Sequence, residues 1–164
     1  MNIRNILLLC MLVAYAIPIY YVYYHYGCND SVSSILCDQK HKNVILACMA
    51  LMGVFTIAYE LKRNDVFSVA AIAVLLLGIY GLITFDETTN LHYVFATSAF
   101  LAIFAFMTRA AIVHNDVILL VSLLLCGRLM IDVAMNLQSD NPIIYAEAAY
   151  ILNFAFFYLY LHCR

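Results

Sequence analysis

The sequence predicts an all-α polytopic membrane protein, a single domain over residues 1–164 folded as a bundle of six transmembrane helices with the N and C termini cytosolic. Three observations carry this reading. The chain is 66% hydrophobic, with a mean hydropathy of +0.94. Only 11% of its residues are charged, against about 25% in soluble domains. Its apolar residues gather into six runs long enough to cross about 30 Å of hydrocarbon, and the polar residues fall between them.

The first run covers roughly 4–26. Arg4 ahead of an apolar core, with Ala14-Tyr15-Ala16, also fits a cleaved signal peptide. The run continues through Ile17, Ile19 and Val22, which is the length of a span and favours a retained helix. Tyr20, Tyr21, Tyr23, Tyr24 and Tyr26 crowd its far end, where amphipathic rings prefer the headgroup zone. Pro18 is expected to kink the helix near that level, a feature membrane helices tolerate.

The later runs are approximately 43–61, 66–85, 92–113, 117–137 and 143–163. Their separators are Cys28 to Lys42, Lys62 to Asp65, Asp86 to Leu91, His114 to Asp116, and Gln138 to Pro142. No internal repeat, linker or low-complexity tract is evident.

Orientation follows from basic residues at the helix ends. With the N-terminus inside, the cytosolic side holds Arg4, Lys62, Arg63, Arg109 and Arg164, and the outer side Lys40 and Lys42. This expectation places the protein in an endomembrane or the plasma membrane with its first loop extracytoplasmic. Cys28 and Cys37 bracket that loop, and a disulfide between them is expected there. It would contribute about 2–3 kcal/mol by closing a loop of about ten residues. The alternative is two free thiols. Asn29-Asp30-Ser31 is a glycosylation sequon close to the helix end. Cys10, Cys48 and Cys126 read as packing residues, and Cys163, beside the cytosolic terminus, as a candidate palmitoylation site.

Several function classes are excluded or lack their signatures. A net charge of −2 leaves no basic surface for nucleic acid. The CxxC, HExxH, GxSxG and P-loop motifs are missing from the sequence. The five histidines scatter to helix boundaries and the first loop, which suits no bis-histidine haem, and the central stretches hold no Lys for retinal. No cofactor and no metal are expected.

Arg128 and Asp132 stand out. They lie mid-run, where each costs roughly 2.5–3.5 kcal/mol on insertion scales. With Asn136 they share one helical face at i, i+4, i+8, close enough to pair and expected to face the bundle interior. Glu147 on the sixth run would share the outer half of the membrane with Asp132. The segment Asp86-Glu87-Thr88-Thr89-Asn90 with His92 adds polar groups on that side. These residues suit a structural ion pair and a solvated loop, or a pocket for a lipid headgroup. A divalent-cation site is conceivable there, but nothing in the spacing demands it.

The passage Gly81-Leu-Ile-Thr-Phe-Asp86-Glu-Thr-Thr-Asn-Leu-His92-Tyr-Val-Phe-Ala96-Thr-Ser-Ala-Phe100, with the six-span order and long first loop, resembles the DRAM/Sfk-type family of six-helix membrane proteins. Phe85, Asp86, His92, Ala96 and Phe100 stand where that family closes its third helix and opens its fourth. The first outer loop departs from the family's pattern. The resemblance implies a lipid-linked role.

The leading expectation is therefore a non-enzymatic protein binding or organising membrane lipid, with Arg128, Asp132, Glu147 and Asn136 at the polar head and His92 and Asp86 at the outer mouth. One alternative is a small, homo-oligomeric transporter or channel gated by the Arg128–Asp132 pair. Another is a lipid-modifying hydrolase or transferase with His92 as base and Asp86 or Glu147 as its orienting acid.

Overall fold

Each apolar run folds as one helix. The computed structural model describes residues 3–26, 40–85, 88–136 and 144–163. Among these the helices are α1 (Ile3–Tyr26), α2 (Lys42–Arg63), α3 (Val66–Thr84), α4 (Asn90–His114), α5 (Val117–Asn136) and α6 (Ile144–Cys163). Five helices, α1 to α5, are long and apolar enough to cross a membrane. The fold is that of an all-α membrane protein. Cys28, Cys37 and Asp86 lie outside the described residues, so the expected disulfide and one residue of the proposed outer mouth do too.

The turns explain where the helices stop. Asn64 and Asn115 adopt left-handed backbone conformations, φ 57° and 45°, and close α2 and α4. Asn tolerates this region better than most residues, so it ends a helix cleanly. The next residue is Asp in both cases and caps the next helix. Asp65 Oδ1 accepts from the Ser68 amide at 3.3 Å, while the Ser68 hydroxyl donates to Oδ2 at 3.0 Å. Asp116 Oδ1 accepts from the Ile118 amide at 2.8 Å. Asn-Asp-Val at 64–66 and 115–117 is thus one turn used twice, a short repeat below the scale at which the sequence appeared non-repetitive.

Helices pack mainly on their sequence neighbours: α1 on α2, α2 on α3, α3 on α4, α4 on α5 and α5 on α6, with a lighter α4–α6 contact. α1 continues through Pro18 and buries Met11 and Ala14 against the rest, with its Tyr15 hydroxyl 3.3 Å from Thr56 Oγ1 of α2. The core lies between α4 and α6, where Phe106 meets Phe154, Phe157 and Tyr158 at ring separations of 5.6–6.5 Å. Such aromatic pairs add specificity beyond the area they bury.

The most extensive helix contact among the described residues is α3 on α4, and it depends on small residues. A Cβ added at Gly78 would lie 2.9 Å from the Ala99 Cβ and 3.0 Å from the Phe95 carbonyl oxygen. In hydrocarbon, where apolar surface gains little from self-association, such backbone proximity is a main source of helix–helix attraction. Gly127 on α5 differs, since an added Cβ there would meet only Phe104 at 3.7 Å. We expect Gly78→Ala to lower stability by about 1–3 kcal/mol, because a backbone neighbour cannot move aside. Gly127→Ala should be neutral or slightly stabilising, and detergent melting curves of the two variants check the contrast.

Candidate functional site

Glu60, one turn before the end of α2, is completely buried. A carboxylate can occupy such a place only if its oxygens are matched by donors. Arg63 Nη1, three residues on, donates to Oε2 at 3.0 Å. From α6, the Tyr158 hydroxyl donates to Oε1, and His162 Nε2 lies 3.3 Å from the same oxygen. Tyr59 closes the pocket edge-on to the His162 ring at 4.9 Å. His162 is itself buried, and Arg63 is the part of the cluster that reaches outward. α2 and α6 are not a closely packed helix pair, so these side chains join them.

Two further polar links sit at the same end of the bundle. Arg109 of α4 donates to Asp65 Oδ2 at 2.6 Å and lies over the Phe67 ring, 4.9 Å from its centroid. Partial burial raises the Asp65 carboxyl, but hydrogen bonds from Arg109 and Ser68 and the guanidinium charge outweigh it and hold the group below the usual carboxylate range. Tyr160 of α6 donates to Asp116 Oδ2 at 3.3 Å. Each capping Asp therefore ties its turn to a helix beyond the two it connects. In the middle of the bundle, Ser122 Oγ donates to Asn153 Oδ1 at 2.7 Å and Asn153 Nδ2 returns a bond to the Ser122 carbonyl at 2.9 Å, joining α5 to α6. Nearer Glu147, the Tyr150 hydroxyl donates to the Phe100 carbonyl at 2.8 Å.

The residues singled out from the sequence fall elsewhere. Arg128 Nε and Asp132 Oδ2 do pair, at 3.1 Å. Their placement corrects the expectation of an interior site: the Arg128 side chain is 71% exposed and that of Asp132 31%. The reason is helical phase, because Leu119, Ser122, Cys126 and Val133 form the inward stripe of α5 and Arg128 falls on the opposite side. Glu147 is buried in the first turn of α6, where a carboxylate suits the positive end of the helix dipole. Asn136 ends α5, and its side chain lies outside the described residues.

His92 is buried, with Nδ1 3.1 Å from the Phe85 carbonyl oxygen. A carbonyl can only accept, so Nδ1 carries the proton and the ring fastens the end of α3 to the start of α4. Among the described residues, no group of three or more His, Cys, Asp or Glu is placed to hold a metal ion.

Sequence reasoning missed the Glu60 cluster although the signal was present. Glu60 is the one acidic residue within the run 43–61, and Tyr158 and His162 stand at i, i+4 on α6. Comparison of the chain with protein-family models, curated proteins and solved structures finds no match in any of the three.

Removing the carboxylate takes away the acceptor that the buried Tyr158 phenol and the His162 ring face and that the outward-reaching Arg63 guanidinium bonds. Glu60→Ala should cost about 3–5 kcal/mol and Tyr158→Phe, which removes one donor, about 1 kcal/mol. Equal melting of Glu60→Ala and wild type would remove the cluster from the bundle's support. Asp65 gives a pH test. Its folded value is depressed, so its contribution is complete above the ordinary carboxylate pKa of about 4 and is lost as pH falls through the lower folded value. Asp65→Asn should flatten that acid limb of the stability profile and leave neutral-pH behaviour on the same slope as wild type.

Proposed function

We propose that the chain is a non-enzymatic integral membrane protein of six spans that binds membrane lipid, taking acidic phospholipid headgroups at the end of the bundle that carries Lys62, Arg63 and Arg109. In this reading α6 is the sixth span, both termini are cytosolic, and the Cys28–Cys37 loop is on the opposite side. The basic residues then face the leaflet in which anionic lipids concentrate. The resemblance of residues 81–100 to DRAM/Sfk-type proteins supports the same lipid-linked role.

The observation that carries the proposal is Arg109. A shallow, open apolar surface lies along the last turns of α4, formed by Phe104, Ala105, Thr108, Ile112 and Val113 with Phe67 from the start of α3, and Arg109 belongs to it. The guanidinium has five donor hydrogens. One nitrogen is bonded to Asp65, and the side chain is 41% exposed. Exposed donors beside an apolar surface suit a phosphate above an acyl chain. Ala58, Leu61, Lys62 and Asn64 frame a second shallow depression at the same end. Arg128 and Asp132 fit a headgroup less well, since they neutralise each other near the middle of α5 rather than at its end.

Native mass spectrometry of the detergent-extracted protein, titrated separately with phosphatidylglycerol and phosphatidylcholine, tests the proposal. The anionic lipid should be retained preferentially and raise the melting temperature. Arg109→Gln should weaken its retention by about tenfold, the effect of losing one charge-assisted hydrogen bond. Retention of neither lipid, with no shift in melting, would overturn the reading.

A further inference from the structure

The outward face of α5 carries a pattern that lipid contact does not require. Val117, Val121, Leu124, Arg128, Ile131 and Met135 follow one another at spacings of four, three, four, three and four, and each is more than half exposed. That is a heptad seam, with Val117, Leu124 and Ile131 at d and Val121, Arg128 and Met135 at a. A single polar or charged residue at a central a position specifies register and oligomeric state in such seams. The charge is placed where it is least tolerable in lipid, near the middle of α5, on the side away from the bundle.

We infer that this face is a self-association seam, and that its occupant is the α5 helix of a second copy of the chain. Copies inserted in one orientation meet about a two-fold axis along the membrane normal, which sets their α5 helices parallel and brings like positions together. The surface is self-complementary in charge: each copy presents one cation and one anion a turn apart. Across the axis, Arg128 of each copy reaches Asp132 of its partner, so two intrahelical pairs become a closed four-charge ring. Association removes from lipid the guanidinium that the monomer leaves outside. Interhelical polar contacts of this kind hold membrane helices together where apolar surface alone gives little preference.

Oligomeric state in lipid bilayers, counted by single-molecule photobleaching of the full chain over a range of protein-to-lipid ratios, tests the seam. Wild type should be dimeric. Arg128→Asp, which gathers like charges at the axis, should raise the dissociation constant by about tenfold or more. The exchanged double variant Arg128→Asp, Asp132→Arg should restore dimers, because it keeps both the pair and the self-complementarity. A separate measurement survives misfolding of the charge variants: Leu124→Cys should crosslink between copies under copper phenanthroline above the level of the unsubstituted chain. Leu101→Cys, on the exposed face of α4, should not. A monomeric wild type, a dimer indifferent to Arg128→Asp, or a Leu124→Cys chain that fails to crosslink would each overturn the inference.

Discussion

The buried carboxylate of Glu60 is the constraint on which the bundle's closure depends. Every close helix contact except the lighter α4–α6 one joins neighbours in sequence, which by itself describes a folded ribbon of helices rather than a closed body. Glu60 reaches from α2 to Tyr158 and His162 of α6, 98 positions away in the case of the tyrosine, and brings the second and last helices of the ribbon together. A desolvated carboxylate has no stable alternative to this arrangement, because lipid offers it no donors and water cannot reach it. The interaction therefore specifies one closed packing whether or not it adds much to net stability.

The same logic recurs at lower stakes around it. Asp65 and Asp116 are caps first, as their positions after Asn64 and Asn115 dictate, but each also turns its Oδ2 to a further helix. Arg109 and Tyr160 take those oxygens, so short turns that would otherwise only reverse the chain also fix where α4 and α6 stand. All three carboxylates lie at one end of the bundle. Ser122 and Asn153 form a reciprocal pair of hydrogen bonds deeper in it.

The positions and boundaries of the described helices were legible because they depend on local quantities. Apolar length fixed the runs, and the ends of α3, α4 and α5 fall within about two residues of the expected limits. Which face a charged residue takes is not local. Arg128 looked like an interior residue because a membrane charge must be matched, and that rule is satisfied equally by Asp132 on the outside. Deciding between them needed the phase of the inward stripe, which Cys126 and Ser122 mark only once their partners on α6 are known. Glu60 was overlooked for the converse reason. Its neighbours Lys62 and Arg63 make it look like part of a solvated helix end, and its true partners come from a helix at the far end of the sequence. His92 was recognised as unusual, yet its bond to a main-chain carbonyl has no signature in side-chain spacing.

The near-sequential contact order bears on how such a chain is made. Helices leaving a ribosome can settle against the one before, so α2 to α5 each meet a packing neighbour on entering the bilayer, while the aromatic core of α4 waits for α6. Glu60 has only Arg63 until α6 arrives. Translation thus proceeds with a poorly satisfied acidic group held in the nascent bundle, and synthesis of the α6 segment relieves it. A polypeptide stalled or cut before Tyr158 would display that defect within the membrane, in a form that quality-control proteases for unassembled spans are suited to detect.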